Sequence, residues 1–258
     1  MLSSNKRKAG LLLVVATGAT IAVFVLPRIA QDPAYHSFAD SRSFLGVANF
    51  INVVTNAAFP LAGAYGLSRL PRTQGCPLRA AYVLLCIGVI LVGFGSACYH
   101  LAPSNSTLTW DRAPMTIAFM ALFTLVVGDY VSGRAGSWLL WPSILVGLAS
   151  VVYWQFSESR GIGDLRPYAL VQFLPMLLMP LILILFRPTR LRAALLWSAL
   201  IVYALSKVAE YFDTPIFELT GFISGHSVKH LLAAAAVLAA IMAFRAGAPM
   251  PSAAAEKA

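Results

Sequence analysis

Charge is scarce in this chain. Only 11% of its 258 residues are Asp, Glu, Lys or Arg, against 59% hydrophobic, and the mean hydropathy is +0.77. A soluble domain has no use for that much apolar material. Cysteine is nearly absent: Cys76, Cys86 and Cys98 show no CxxC spacing. That leaves no disulfide framework, and the three read as small hydrophobes. The short alternating segments of a β-barrel are missing. So are a soluble domain, a convincing internal repeat, and the pair of Gly/Pro-broken half-repeats that marks a transporter. Acidic residues are few, only 10, which leaves a net charge of +9. In a membrane protein such an excess belongs to cytoplasmic loops rather than to nucleic-acid binding.

What the chain does have is long apolar runs. Eight lie at about residues 10–26, 46–67, 80–100, 111–131, 138–156, 168–186, 193–212 and 226–244. Each is near the ~20 residues that carry a helix across a ~30 Å hydrocarbon layer. The expectation is an all-α, multi-pass integral membrane protein. Lys6, Arg7 and Lys8 precede the first run, as in a signal peptide, but Arg28 stands where a small residue is wanted before a cut after Ala30. Residues 1–30 are therefore read as an uncleaved anchor helix ended by Pro27, residues 31–245 as the membrane domain, and residues 246–258 as a flexible tail.

Polar residues inside the runs carry the next layer of information. Asn49, Asn52 and Asn56 follow i, i+3, i+7 spacing, so one amide-rich face should turn into the bundle, away from lipid. Pro175 and Pro180 predict a kink in the sixth run. Pro103-Ser104-Asn105-Ser106 reads as a turn, placing Asp111 at the start of the fourth run. His36 and Asp40 are four apart before the amide-rich run; they either cover a site from above or form an ordinary turn, the reading preferred here. Lys207, Glu210, Asp213 and Lys229 are expected to form ion pairs across the last two spans, the reading preferred here over a role at a substrate headgroup.

Sides follow from Lys and Arg. With the N-terminus in the cytoplasm, eight spans return the C-terminus there, and the cytoplasmic segments then hold twelve Lys and Arg against five on the other side. In this topology Ser96 and His100 end an outward span, Asp111 starts an inward one, and His226 and His230 start the last inward one. All five fall at one depth, near the non-cytoplasmic face. His226 and His230 share a helix face, one turn apart, as do Ser96 and His100. Three imidazoles with an open fourth position are the donor set of a catalytic zinc. Asp111 can accept a proton or orient an imidazole, and Ser96 can donate to an oxyanion. The same groups also suit a structural polar cluster, with Asp111 capping its helix and Ser96 bonded to its own i−4 carbonyl.

The motifs Gly95-Ser96-Ala97-Cys98-Tyr99-His100, Trp110-Asp111-Arg112-Ala113-Pro114-Met115 and Gly225-His226-Ser227-Val228-Lys229-His230, with Asn49-Phe50-Ile51-Asn52-Val53-Val54-Thr55-Asn56, resemble those of the alkaline ceramidases. These are part of a superfamily of seven-helix membrane zinc hydrolases that includes the adiponectin-receptor type. The resemblance runs from about residue 35 to 240. It implies a seven-transmembrane-helix bundle, here with one extra N-terminal hydrophobic helix. It also implies zinc held by His100, His226 and His230, Asp111 as the water-activating base, and Ser96 as the donor to the substrate carbonyl. The implied activity is hydrolysis of ceramide or a related N-acyl lipid to a fatty acid and a long-chain amine, with membrane lipids around it and neither nucleic acid nor an obligate protein partner. The calcium of the animal ceramidases is not implied, because their acidic cluster is replaced by Asp40 among few acids, and Asn49 stands where a glutamate is expected. The short loops and the N-terminal helix look bacterial, which places the chain in an inner membrane with its zinc site near the periplasmic face. A receptor-type protein with a structural zinc is the alternative.

Overall fold

The computed structural model describes residues 2–70 and 78–244. The regular structure described is helical: α1 (Leu2–Val25), α2 (Phe50–Thr55), α3 (Ala58–Ser68), α4 (Arg79–Leu101), α5 (Asn105–Tyr130), α6 (Gly133–Ser159), α7 (Arg166–Leu185), α8 (Ala193–Tyr211), α9 (Asp213–Thr220) and α10 (Gly225–Ala243). Among the described residues, eight helical segments are long and apolar enough to cross a membrane, with α2 and α3 together forming one of them, Phe50–Ser68. The chain is a multi-pass helical membrane bundle. Cys76, Arg72 and the tail expected at 246–258 lie outside the described residues.

Serines start several of these helices. Ser104 Oγ accepts from Thr107 N, Ser132 Oγ from Ala135 N, and Ser224 Oγ from Ser227 N, so each pairs a backbone donor the first turn would leave open. The cap at Ser104 corrects one expectation. Helix α5 begins at Asn105, not at Asp111, so Asp111 sits in its second turn and does not cap it. The turn-forming residues at 103–106 are here a helix start. The connection after α8 likewise holds an unexpected short helix, α9, closed by Gly221 at φ +62°, a left-handed conformation that glycine adopts without strain.

Helix α4 packs on α3 and α5, α5 on α6, and α8 on α10, while α1 lies against α7. In lipid, water exclusion does little to bring helices together, so van der Waals packing and interhelical hydrogen bonds carry the association. Large side chains such as Leu13, Val14, Trp141, Leu145 and Val146 stay exposed on outward faces, as a lipid-facing surface requires. The opposite pattern holds at the two ends of the bundle. At one end Asp129, the penultimate residue of α5, accepts from the backbone N–H of Thr189, Arg190 and Leu191 and from the Thr189 hydroxyl, and Arg192 N bonds Ala243 O. One carboxylate thereby ties the α7–α8 connection to α5. The other end gathers the polar residues singled out above.

The segment between α1 and α2 closes that second end. Leu165 N bonds Ile29 O, and Gln31 N bonds Glu158 Oε1 at 2.7 Å. Arg42 reaches Phe222 O at 2.6 Å and holds both oxygens of Asp40 at 2.8 Å. These bonds hold the Asp40 carboxyl below the usual range and raise the Arg42 guanidinium.

Candidate metal centre and active site

His100 leaves the last turn of α4; His226 and His230 leave the first two turns of α10. All three are buried. Their ring centroids form a triangle with 4.9 Å on every side, each pair edge to face. One ligand nitrogen from each lies within 4.8 Å of the others, so the triad can hold a metal ion; Asp111 is not part of that group. His100 Nε2 and His230 Nε2 stand 3.2 Å apart. Two nitrogens bound to one zinc at 2.0–2.1 Å in tetrahedral geometry stand about 3.3 Å apart, so the spacing fits. His226 Nε2 is buried with no hydrogen-bond partner, an orphan acceptor or donor that an ion would satisfy.

Small residues let these helices meet. A Cβ on Gly95 would collide with the Trp110 carbonyl oxygen, and one on Gly225 with that of Ala209. The first contact brings α4 against α5 beside Ser96 and Asp111, and the second seats the start of α10 on the end of α8. Ser96 and Asp111 are both buried, and both line a cavity with His230. The walls of that cavity are otherwise mostly apolar, from Phe59, Leu85, Phe119, Met179 and Leu200. It is an apolar slot that also presents a carboxylate, a hydroxyl and an imidazole.

The three amides are buried as expected, Asn52 within α2 and Asn49 and Asn56 flanking it, and each has a partner. Asn49, left-handed at φ 49°, donates to His100 O at 2.8 Å. Asn52 donates to Asp40 O and accepts from Ser227 Oγ at 2.6 Å, and Asn56 donates to Asn52 O. Thus α2 fixes the backbone beside His100 and the side chain next to His226. Glu210 pairs with Lys207 at 2.7 Å and with Lys229 at 2.6 Å, the expected bridge between α8 and α10. Asp213 forms no ion pair among the described residues. Its oxygens accept from the backbone N–H of His226, at 2.7 Å, and of Ala39, since α9 turns it back onto the start of α10.

His36 occupies a 3-10 turn, Pro33–His36, and bonds Tyr99 Oη and Asn105 Oδ1, both at 2.9 Å. The turn reading holds for His36, but the segment does cover the site. Phe38 lies 4.6 Å from the His100 ring and 4.8 Å from that of His226. Burial with Glu210 beside it pushes the Tyr35 phenol up, so it stays protonated and faces Glu210 Oε1 at 3.4 Å.

Two residues beside the triad escaped sequence reasoning. Phe38 carries no spacing signal. Thr55 does: it is one turn from Asn52 on the same short helix. Its hydroxyl donates to Ile51 O at 2.8 Å and lies 3.0 Å from His230 Nδ1. With its proton committed, Thr55 Oγ1 accepts from Nδ1–H, which leaves the His230 Nε2 lone pair turned to the other imidazoles.

No curated protein matches the sequence. A family model described as Ceramidase matches residues 43–204. That stretch holds Ser96, His100 and Asp111 but stops short of His226 and His230. The fold brings these two to His100 from outside the matched region, completing the three-histidine group at the same end as the matched motifs. On the extent of that match, the chain belongs to the Ceramidase family.

Proposed function

We propose that the protein is a membrane-embedded, zinc-dependent hydrolase of lipid amides that releases a fatty acid and a long-chain amine from ceramide or a related N-acyl lipid. The observation that carries this reading is a group of three buried imidazoles that can share an ion, one of which, His230, lines an apolar cavity together with Ser96 and Asp111. His100, His226 and His230 would hold the ion. Zinc supplies Lewis acidity at such a site, polarising a carbonyl and making water more acidic.

The chain's own residues have separable tasks. The apolar cavity takes the acyl chain and leaves the amide at its polar end. Asp111 accepts the proton of the attacking water and returns it to the amine as the C–N bond breaks and the new C–O bond forms. Ser96 donates its one hydroxyl proton to the carbonyl oxygen as charge builds there. Phe38 and the Asn49–Asn52 bonds hold the imidazole cluster in place. The site end faces the non-cytoplasmic side, with both termini in the cytoplasm, because Lys and Arg are concentrated at the other end.

The direct test is release of free palmitate from a panel of N-palmitoyl lipids by the detergent-purified protein, with no other protein added. Turnover that stops on chelation and returns with zinc is the expected result. A folded, zinc-loaded protein that cleaves no member of the panel would favour the receptor-type reading with a structural metal.

Thr55 separates metal holding from chemistry. Thr55→Val keeps the shape of the side chain and removes the acceptor for His230 Nδ1–H, so zinc affinity in a competition titration should fall ~10–100-fold, as for other outer partners of ligating imidazoles. Thr55→Ser should keep most of it. Equal affinities for both variants would remove Thr55 from the site.

A further inference from the structure

The apolar cavity does not end at Asp111. A second cavity adjoins it, and Asp111, Met115, Lys207 and Lys229 line both. The first is walled by hydrocarbon. The second adds Arg112, Glu210, Tyr35 and Gln172 among apolar walls from Ile29, Leu165 and Phe173, so its charged groups stand in a mostly apolar chamber. Lys207 and Lys229 share one carboxylate, that of Glu210. Asp111 is the second acid of this chamber and Arg112 its third cation, so the ionised side chains sum to one positive charge.

Arg112 is the unusual member. It is only 6% exposed, yet no carboxylate hydrogen-bonds it. Nη2 donates to the Gln31 amide oxygen at 2.6 Å. The guanidinium lies over Trp154 at 4.2 Å, Tyr168 at 4.8 Å and Tyr35 at 5.7 Å, and Nη1 has no hydrogen-bond partner. The aromatic rings fix its plane and Gln31 takes one donor, which leaves another unmet in a buried site. A charged donor is not left so without cost, and a guanidinium held flat is suited to a carboxylate or phosphate.

We infer that the second cavity is the subsite for the amine side of the substrate, and that it selects N-acyl lipids whose amine portion carries an anionic group, a carboxylate or a phosphate, bound by Arg112. This rests on the amide-hydrolase reading above. The acyl chain fills the apolar cavity, the amide lies at the shared wall of Asp111 and Lys229, and the anion reaches Arg112. Water gives its oxygen to the acyl carbon and a proton to the departing nitrogen, so the products are a fatty acid and an anionic amine.

The test compares substrates that share one acyl chain. N-palmitoylglycine and N-palmitoyl-4-aminobutyrate carry a carboxylate at two reaches; N-palmitoylethanolamine is neutral. The wild-type kcat/KM should favour at least one carboxylate substrate by tenfold or more. Arg112→Gln should reduce that preference at least tenfold, mainly through KM, and Arg112→Lys should keep part of it. No preference in the wild type, or an equal loss on all three substrates in Arg112→Gln, would overturn the inference. Should Arg112→Gln fail to fold, the wild-type preference and Arg112→Lys still decide.

Failure of the hydrolase reading shows up separately, as no cleavage of any substrate. The subsite is then read from binding: dodecyl phosphate should stabilise the protein in nanodiscs against heat more than dodecanol does, and less so in Arg112→Lys. Equal stabilisation by the two amphiphiles would overturn the subsite. Inorganic phosphate acting as well as dodecyl phosphate would assign the cavity to a free anion and overturn the headgroup assignment.

Discussion

Replacing Asp111 by asparagine should leave the metal content unchanged and lower kcat by ~10²–10⁴-fold, the usual weight of a positioned general base. The two parts of this prediction come from different observations. Asp111 lies outside the group of nitrogens that can share an ion, so removing its charge takes no ligand away. It is nevertheless buried at the wall common to both cavities, where the proposed reaction needs a carboxylate facing the amide. Asparagine keeps the size, so packing should survive, but it cannot take a proton from water. Palmitate release in single turnover, with zinc measured on the same sample, separates the two effects. Turnover within twofold of wild type would place the base elsewhere. A matching loss of zinc would make Asp111 a supporting group for an imidazole rather than the base.

Asp111 also shows how far the sequence alone reaches. Its depth in the bundle follows from counting spans, because apolar runs of sufficient length leave a polar residue at a run's edge close to the membrane surface. Its place within α5 did not follow, since Pro103-Ser104-Asn105-Ser106 suits a turn and a helix start equally well, and only the Ser104–Thr107 bond decides between them. The amide face of α2 was legible because i, i+3, i+7 spacing is a local property. The partners of those amides were not, because Asn49 meets the His100 carbonyl and Asn52 meets Ser227 through contacts between distant segments. Asp213 illustrates the same limit: its charge suggested an ion pair with the neighbouring lysines, but the unforeseen helix α9 turns it to the backbone of His226. Phe38 sits in an irregular segment with no periodicity, so nothing in its neighbourhood marked it as the ring that lies over two imidazoles.

The largest effect is expected from the metal ligands themselves. The purified wild type should carry about one zinc per chain, the stoichiometry of a three-imidazole catalytic centre, and the His226→Ala/His230→Ala protein should carry none and release no palmitate. With both α10 ligands gone, His100 alone remains, and one neutral imidazole does not hold zinc against water. The stability readout runs in parallel and does not depend on turnover. A ligand bound only to the folded state stabilises it by RT ln(1 + [L]/Kd), so removing an ion present at 1,000-fold over its Kd costs about 4 kcal/mol. Chelation should therefore lower the melting temperature of the wild type and leave that of the double variant unmoved. The triangle of imidazoles gives a physical reason for this asymmetry. In the wild type, His226 Nε2 is a buried polar atom without a protein partner and two other ring nitrogens face each other at 3.2 Å, an arrangement that gains from an ion at its centre. In the double variant that unmet demand is gone, and the ion has nothing left to stabilise. A well-folded wild type that binds no metal and ignores the chelator would reduce the triad to a polar cluster and leave the family match to speak for the fold alone.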